Sequence, residues 1–247
     1  MKSRLVLLRP VLLLLCLSLL GGCLNLSQTR VTPEHRQLKN KVGIVVLMDP
    51  APRMHHLQLS VLKSTAGQLD LPGWNVRAAV TEYLAQRMRG MTLYVKTVQY
   101  DDNTFPSPYD SSMAYPAFER LRQPLGTWAA GQGLDMVVVV YRQSSEDFFG
   151  ESIENLIGYG VARHAEERTD AYATVYLEAL DTSGRLIGNS DGQKNIRIDD
   201  ALWRPEFSVD KARVTVAGAA GKALREQVTQ ALLDAVLLAA QEAGLSH

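Results

Sequence analysis

The run Met136-Val137-Val138-Val139-Val140-Tyr141 constrains this chain more than any other stretch. Each of its four valines carries two heavy atoms on Cβ, which stiffens the side chain and favours extended backbone over helix. Side chains alternate across a strand, so an apolar run with no polar interruption presents hydrophobic surface on both faces. Such a strand needs cover above and below, as an interior strand of a helix-flanked sheet has. Gly133-Leu134-Asp135 stands directly before it, so the expected step is helix, short turn, central strand.

The remaining elements follow in order. Val42 to Met48 is a second continuous apolar run, stopped by Asp49-Pro50, and reads as a buried strand; a weaker strand is expected over Leu57 to Leu62. Asn75 is a good N-cap for a helix in which Val76, Ala79, Val80, Tyr83, Leu84 and Met88 share one stripe, with Gly90 at its end. Trp74 beside its start is expected to staple it to the core. Met91 to Tyr100 alternates as a half-buried strand does, and the proline- and serine-containing stretch from Asp101 to Pro116 reads as loop. A further helix is expected over residues 117–132, with an interruption near Pro124.

Glu146 to Gly160 places Phe149, Ile153, Leu156 and Ile157 at helical spacing, apart from Asp147, Glu151 and Glu154, which predicts a short acidic amphipathic helix. Ala171 to Leu180 then alternates, Asp181-Thr182-Ser183-Gly184 is a turn signal, and a return strand runs on to Ile198. Asp199 to Asp210 is loop, and a long helix spans about Thr215 to Ala243, with Gly244 past its end. The fold class is α/β (α+β): a single mixed sheet with a C-terminal antiparallel hairpin, helices packed mainly on one face and a long C-terminal helix.

The N-terminus sets the compartment. Lys2, Arg4 and Arg9, then the apolar run from Val11 to Leu20, then small residues, form a secretory signal whose apolar part is too short to span a bilayer. Leu20-Gly21-Gly22-Cys23 resembles the lipobox of bacterial lipoproteins. That resemblance implies cleavage between Gly22 and Cys23 and a thioether-linked diacylglycerol with an N-acyl chain such as palmitate on Cys23. Leu24 and Asn25 follow in place of the aspartate that retains such lipoproteins in the inner membrane, so the resemblance implies an outer-membrane anchor facing the periplasm. Residues 1–22 are then the signal peptide, residues 23–40 a polar tether, and residues 41–247 a single periplasmic α/β domain.

Cleavage removes three basic residues and no acidic one, so 26 basic and 26 acidic residues become 23 and 26. A body so close to neutral offers no bulk attraction for nucleic acid. Cys16 leaves with the signal and Cys23 carries the lipid, so stability outside the cytoplasm rests on packing, with no disulfide.

The element order, with the stretches "WAAGQGLDMVVVVY" and "VYLEALDTSGRLIG", resembles the periplasmic α/β domain shared by the curli-secretion lipoprotein, the lipoprotein activators of penicillin-binding proteins and the N-terminal domain of TolB. The helix-Gly-x-Asp-strand step and the Asp-x-x-Gly hairpin turn recur in those families. No functional residue of theirs has a counterpart here, and the acidic stretch around Phe149 and the loop after Asp101 lack one in them.

Four patterns invite chemistry. Gly188-Asn189-Ser190-Asp191-Gly192 spells G-x-S-x-G, yet it falls in a hairpin and has only His247 downstream; a bulge or turn in the return strand is the competing reading, and a serine hydrolase using Ser190 the catalytic one. Gly218 to Ala223 is similar to a phosphate loop, but Val216 replaces its first glycine and Ala223 its Ser/Thr, so small-residue packing is the better reading. His55-His56 point to opposite faces of a strand and have no partner ligands at metal spacing, which suggests a surface or strand-edge role. His164 with Glu166 and Glu167 reads as a wet face.

The expectation is a non-enzymatic accessory or assembly factor of the cell envelope, without cofactor or metal. It would act through an envelope protein partner at Phe148, Phe149, Ile153, Leu156 and Ile157 and at the Asp101 to Tyr115 loop. The alternative is a subunit of an oligomeric secretion ring or pore, which requires a homo-oligomer.

Overall fold

In the computed structural model, which describes residues 29–57, 65–91, 93–101, 103–105, 109, 118–145, 156–164, 168–203 and 213–247, the valine run becomes the interior strand β5 (Met136–Arg142). Every residue from Met136 to Tyr141 is fully buried, each valine contributing roughly 1.5–3 kcal/mol of hydrophobic stabilisation. Its neighbours are β1 (Lys41–Leu47), parallel and in register from Val42 opposite Met136 to Leu47 opposite Tyr141, and the antiparallel β9 (Thr169–Asp181).

Asp135 joins β1 to β5. Its amide donates to the Lys41 carbonyl at 2.8 Å, and its carboxylate accepts from the Lys41 amide at 3.0 Å. At the hairpin turn after β9, Asp181 Oδ1 accepts from Ser183 N at 2.9 Å, from Ser183 Oγ at 2.6 Å and from Arg185 N at 3.1 Å. The second motif is a local cap on the turn, whereas the first ties the starts of two strands that are distant in the chain.

The two central strands of the mixed sheet break at the same level. Beyond Leu47 the β1 line resumes as β2 (Arg53–His56), and beyond Arg142 the β5 line resumes as β8 (Tyr159–Arg163). β2 and β8 pair in parallel from Arg53–Gly160 to His56–Arg163. β9 spans the break, pairing first with β8 and then with β5, while β10 (Leu186–Arg197) runs along its other side. β3 (Thr65–Asp70) and β11 (Arg213–Thr215) extend the sheet beyond β2, and the two-residue β4 (Tyr94–Val95) edges β1. Along the edge strand β10, Asp191, Gln193, Asn195 and Arg197 share the exposed face, and charged side chains on an edge strand discourage edge-to-edge pairing.

Helices α2 (Val76–Arg89) and α4 (Gly218–Glu242) cover one face and bury Val80, Leu84, Met88, Leu224, Val228, Leu232 and Val236 in the larger core. Asn75 caps α2 by accepting from Ala78 N, and Gly244 follows α4 with a left-handed φ of 79°. Helix α3 (Glu119–Gly131) packs on the opposite face over Val45, Val137, Val139 and Tyr141. Pro124 lies inside it without ending it, forgoing the bond to the Arg120 carbonyl while Leu121, Leu125 and Ala129 hold the helix on the sheet.

Several expectations are corrected. The strand after Pro50 is Arg53–His56, ahead of the expected Leu57 start, and residues 58–62 lie outside the described residues. Among the described residues of Met91 to Tyr100 only Tyr94 and Val95 form a strand, and after the Lys96 amide bonds Val42 O the chain leaves the β1 edge. Where a helix was expected over 146–160, Leu156–Ile157 form strand β7, paired with β6 (Ser144–Ser145), and Tyr159 begins β8; residues 146–155 lie outside the described residues.

The expected tether is docked from Thr29 onward. Asn189 N donates to Thr29 O at 2.7 Å, and Val31, buried, donates from its amide to Ala243 O at 2.8 Å. The short helix α1 (Pro33–Leu38), capped by Thr32, follows, and Arg36 Nη1 donates to Gly244 O at 2.8 Å. The end of α4 and the start of β10 supply unpaired backbone groups that this segment satisfies.

Candidate functional site

The break in the two central strands is organised around Asp49. It sits two residues past β1, where Pro50 prevents the strand from continuing. Arg53, opening β2, donates from Nε at 3.0 Å and Nη2 at 2.8 Å to Asp49 Oδ2, and Arg142, closing β5, donates from Nη1 to Oδ1. Burial alone would raise the Asp49 pKa, but the hydrogen bonds and charges of Arg142 and Arg53 outweigh it and hold the carboxyl below its ordinary value.

Two tyrosines complete the joint. Tyr159 donates to the Asp49 carbonyl at 2.7 Å and accepts from Trp74 Nε1 at 3.0 Å, so Trp74 does staple the start of α2 to the sheet. Tyr109 accepts from the Arg142 amide at 2.7 Å and donates to the Leu47 carbonyl at 3.0 Å, and the Arg142 guanidinium lies 3.8 Å from its ring centroid. Burial pushes both phenols well above the ordinary tyrosine range. The site thus combines a carboxylate held ionised, two guanidinium groups and two neutral phenols. Each of these side chains bonds a neighbouring segment, so the arrangement holds chain segments in place.

Two connections depart from this joint. Thr174 of β9 bridges the first: Gln143 N donates to Thr174 O at 3.1 Å and Thr174 N donates to Gly158 O at 2.6 Å. Gly158 N also donates to Gln143 O at 2.9 Å, closing the base of the 144–157 excursion. The second is the 101–118 connection, which Tyr109 pins to Leu47 and Arg142. Gln143, Gly158 and Tyr109, at the described parts of the two connections, are therefore fastened around one joint. Of the five proposed contact residues, Phe148, Phe149 and Ile153 lie outside the described residues. Leu156 is instead core, fully buried with Leu57, Ala162 and Tyr172, because it is the inward-facing residue of β7; Ile157 is partly exposed.

Beside the joint, under α3, Glu178 is fully buried and accepts from Arg122 Nε at 3.0 Å and Nη2 at 2.6 Å. Tyr176 donates to the same oxygen at 3.3 Å and accepts from Asn189 Nδ2 at 3.1 Å. Sequence reasoning passed over both Glu178 and Asp49. The available signals were a charged residue at an inward position of the alternating run 171–180 and an aspartate at the very end of an apolar run.

Along the edge of the sheet, an open cleft of about 620 Å3 separates α2 from residues 95–100, with Arg77 and Arg89 above Ala78, Thr81 and Ala85. Tyr100 crosses this edge, and its hydroxyl accepts from Val46 N at 2.6 Å, taking the place of a strand that has ended.

The catalytic reading of Ser190 finds no support in its surroundings. It is buried in mid-strand opposite Leu177, after a register shift between Leu186 and Gly188, and donates to Glu242 Oε2 at 2.6 Å. The motif glycines serve close packing: a Cβ on Gly192 would stand 1.9 Å from Ala235 O of α4. Likewise a Cβ on Gly221 would meet Val216 O at 2.2 Å, so the phosphate-loop pattern is a packing contact. His55 is buried in an interior strand, against the expected surface role, edge-on to Tyr172, and burial with the Arg53 charge pushes its pKa down to about 4. His164, expected on a wet face, is buried 3.3 Å from Asp170 Oδ2. Among the described residues no group of three His, Cys, Asp or Glu side chains is placed to hold a metal ion. Gly22 and Cys23 lie outside the described residues.

No protein-family model matches the chain, and no curated protein matches it. Among solved structures it is similar to the PelC dodecamer of Paraburkholderia phytofirmans, at 11% identity and a TM-score of 0.33, covering 85% of this chain and 94% of that one. It is also similar to lipoprotein GNA1162 of Neisseria meningitidis, at 12% identity and a TM-score of 0.33, covering 64% of this chain and 83% of that one. At such scores and identities the likeness establishes neither family nor function.

Proposed function

We propose that this protein is a lipoprotein anchored to the outer membrane through Cys23, whose periplasmic domain works by protein contact as a non-enzymatic accessory or assembly factor of the envelope. The observation that carries the reading is the joint at Asp49. There two arginines, a carboxylate and two tyrosines, hydrogen-bonded to one another and to backbone groups, fix the bases of two long connections at one place. Rigid presentation of loops is how scaffolds build recognition surfaces. Residues 146–155 and 110–117 are then the contact segments.

Crosslinking capture in native membranes tests this. Phe148→Ser with Phe149→Ser is expected to abolish capture of an envelope protein at unchanged protein level and unchanged melting temperature. Capture that survives the double substitution sinks the assignment of these segments. The mass of the detergent-solubilised protein distinguishes a single accessory subunit from a ring.

A further inference from the structure

We propose that the corner of the domain formed by Leu38, Tyr94, Lys41 and Lys96 lies against the anionic phospholipid surface of the bilayer that holds the anchor. The inference rests on the reading of Cys23 as the acylated residue, and its geometry comes from the docked N-terminal segment.

Five residues lie between Cys23 and Thr29, a span of at most about 22 Å when fully extended. Thr29 and Val31 are fastened to β10 and the end of α4, so the anchor holds the domain within that reach of the bilayer. From Val31 the chain passes through α1 to the start of β1, which the edge strand β4 flanks, so this corner follows the anchored segment directly in the chain.

Leu38 and Tyr94 are the two most exposed large hydrophobic residues among those described, at 80% and 67%. They belong to the same corner: Tyr94 N donates to Asn40 O at 2.7 Å, and Tyr94 pairs with Lys41, three residues after Leu38. An aliphatic and a tyrosine side chain left in water suit the boundary between headgroups and acyl chains, where a tyrosine ring can be buried while its hydroxyl stays wet.

The surrounding charge is complementary to lipid phosphate. Lys41 and Lys96 are exposed, Lys96 Nζ reaching the Gln132 carbonyl at 2.7 Å, and Arg185 at the neighbouring hairpin turn is also exposed. Among the described residues, acidic groups near this corner include Glu34, Asp135 and Asp181. Asp135 accepts from the Lys41 amide, and Asp181 faces Lys39 at 3.6 Å and Arg185 at 3.2 Å, so its charge is already matched. Basic residues near an anionic leaflet add to what a buried leucine and tyrosine contribute.

The test uses the full-length protein purified from membranes and reconstituted into vesicles of phosphatidylethanolamine and phosphatidylglycerol. With Cys16 cleaved off and Cys23 in thioether linkage, a cysteine introduced by Leu38→Cys, Tyr94→Cys or Ala66→Cys is the only thiol to label with an environment-sensitive fluorophore. The expected result is a blue shift and at least twofold quenching by brominated lipid at positions 38 and 94. The label at position 66, on β3 at the far end of the sheet, stays unchanged. Adding Lys41→Glu and Lys96→Glu weakens the signal at position 38. Unshifted labels at 38 and 94 on protein whose mass shows an acylated Cys23 overturn the proposal alone. An unacylated Cys23 overturns both the anchor and the proposal. A shift that follows protein density and ignores vesicle charge identifies a second copy as the occupant, and overturns it as well.

Discussion

Arg142, the last residue of β5, donates from Nη1 to Asp49 Oδ1, joining the ends of two parallel strands at the level where both leave the sheet. Arg53 completes the clamp on the other carboxylate oxygen. The partners are 93 residues apart in the chain, so the pair exists only when β1 and β5 have come together.

Asp49→Asn is expected to lower stability by roughly 1–3 kcal/mol, because it leaves two guanidinium groups facing a neutral amide in a half-buried site. Arg142→Ala removes in addition the cation over the Tyr109 ring and should cost at least as much. Urea unfolding of each variant measures this. Equal midpoints for variant and parent would show that the joint contributes nothing to stability.

Acid should act in two separate windows. His55 is held neutral in the fold with a pKa of about 4, against 6.5 unfolded, so its contribution is complete above pH 6.5 and is lost as pH falls toward 4. The loss amounts to roughly 3 kcal/mol at most. Asp181, whose hydrogen bonds from Ser183 and Arg185 override burial to bring its pKa to about 2, adds a second loss as pH drops from 3.8 through 2. Thermal melts between pH 7 and pH 4 should be flatter for His55→Phe; an identical slope would refute the assignment.

Ser190→Ala should cost about 1 kcal/mol through the lost bond to Glu242 and leave ester turnover at background, as in the parent. Gly192→Ala is expected to be worse, by roughly 1–3 kcal/mol or more, since its Cβ would overlap the α4 backbone at Ala235. Esterase activity in the parent that Ser190→Ala abolishes would revive the hydrolase reading.

Val31→Ala should destabilise the whole domain by about 1–2 kcal/mol, because Val31 is buried in the main core although it precedes β1. Hydrogen exchange at Val31 and Asn189 should follow global unfolding. Fast exchange there with an unperturbed sheet would mean that the segment is a tether after all.

What could be read from the chain was whatever short-range chemistry decides. The α2 cap at Asn75, the Asp181 to Gly184 turn, the Gly133-Leu134-Asp135 step and the strands at Val42 and Met136 all depend on neighbours within a few residues, and each stands where its residues imply. Leu156 misled because Phe149, Ile153, Leu156 and Ile157 fit a helical period, while pairing with Ser145 and burial against Tyr172 made it a strand residue. Polarity around Thr29 suggested a tether, because nothing local reveals that Asn189, 160 residues away, would bind it.

By itself the sequence determined that an apolar strand would lie inside a helix-covered sheet and that a hairpin and a long helix would close it, since periodicity and turn chemistry act locally. Only the tertiary structure decided that β1 and β5 break together, that Asp49 meets Arg142, and that Glu178 can be buried because Arg122 reaches it from α3. Those outcomes depend on contacts between distant segments, whose partners are chosen by packing and by the need to neutralise charge once water has been excluded.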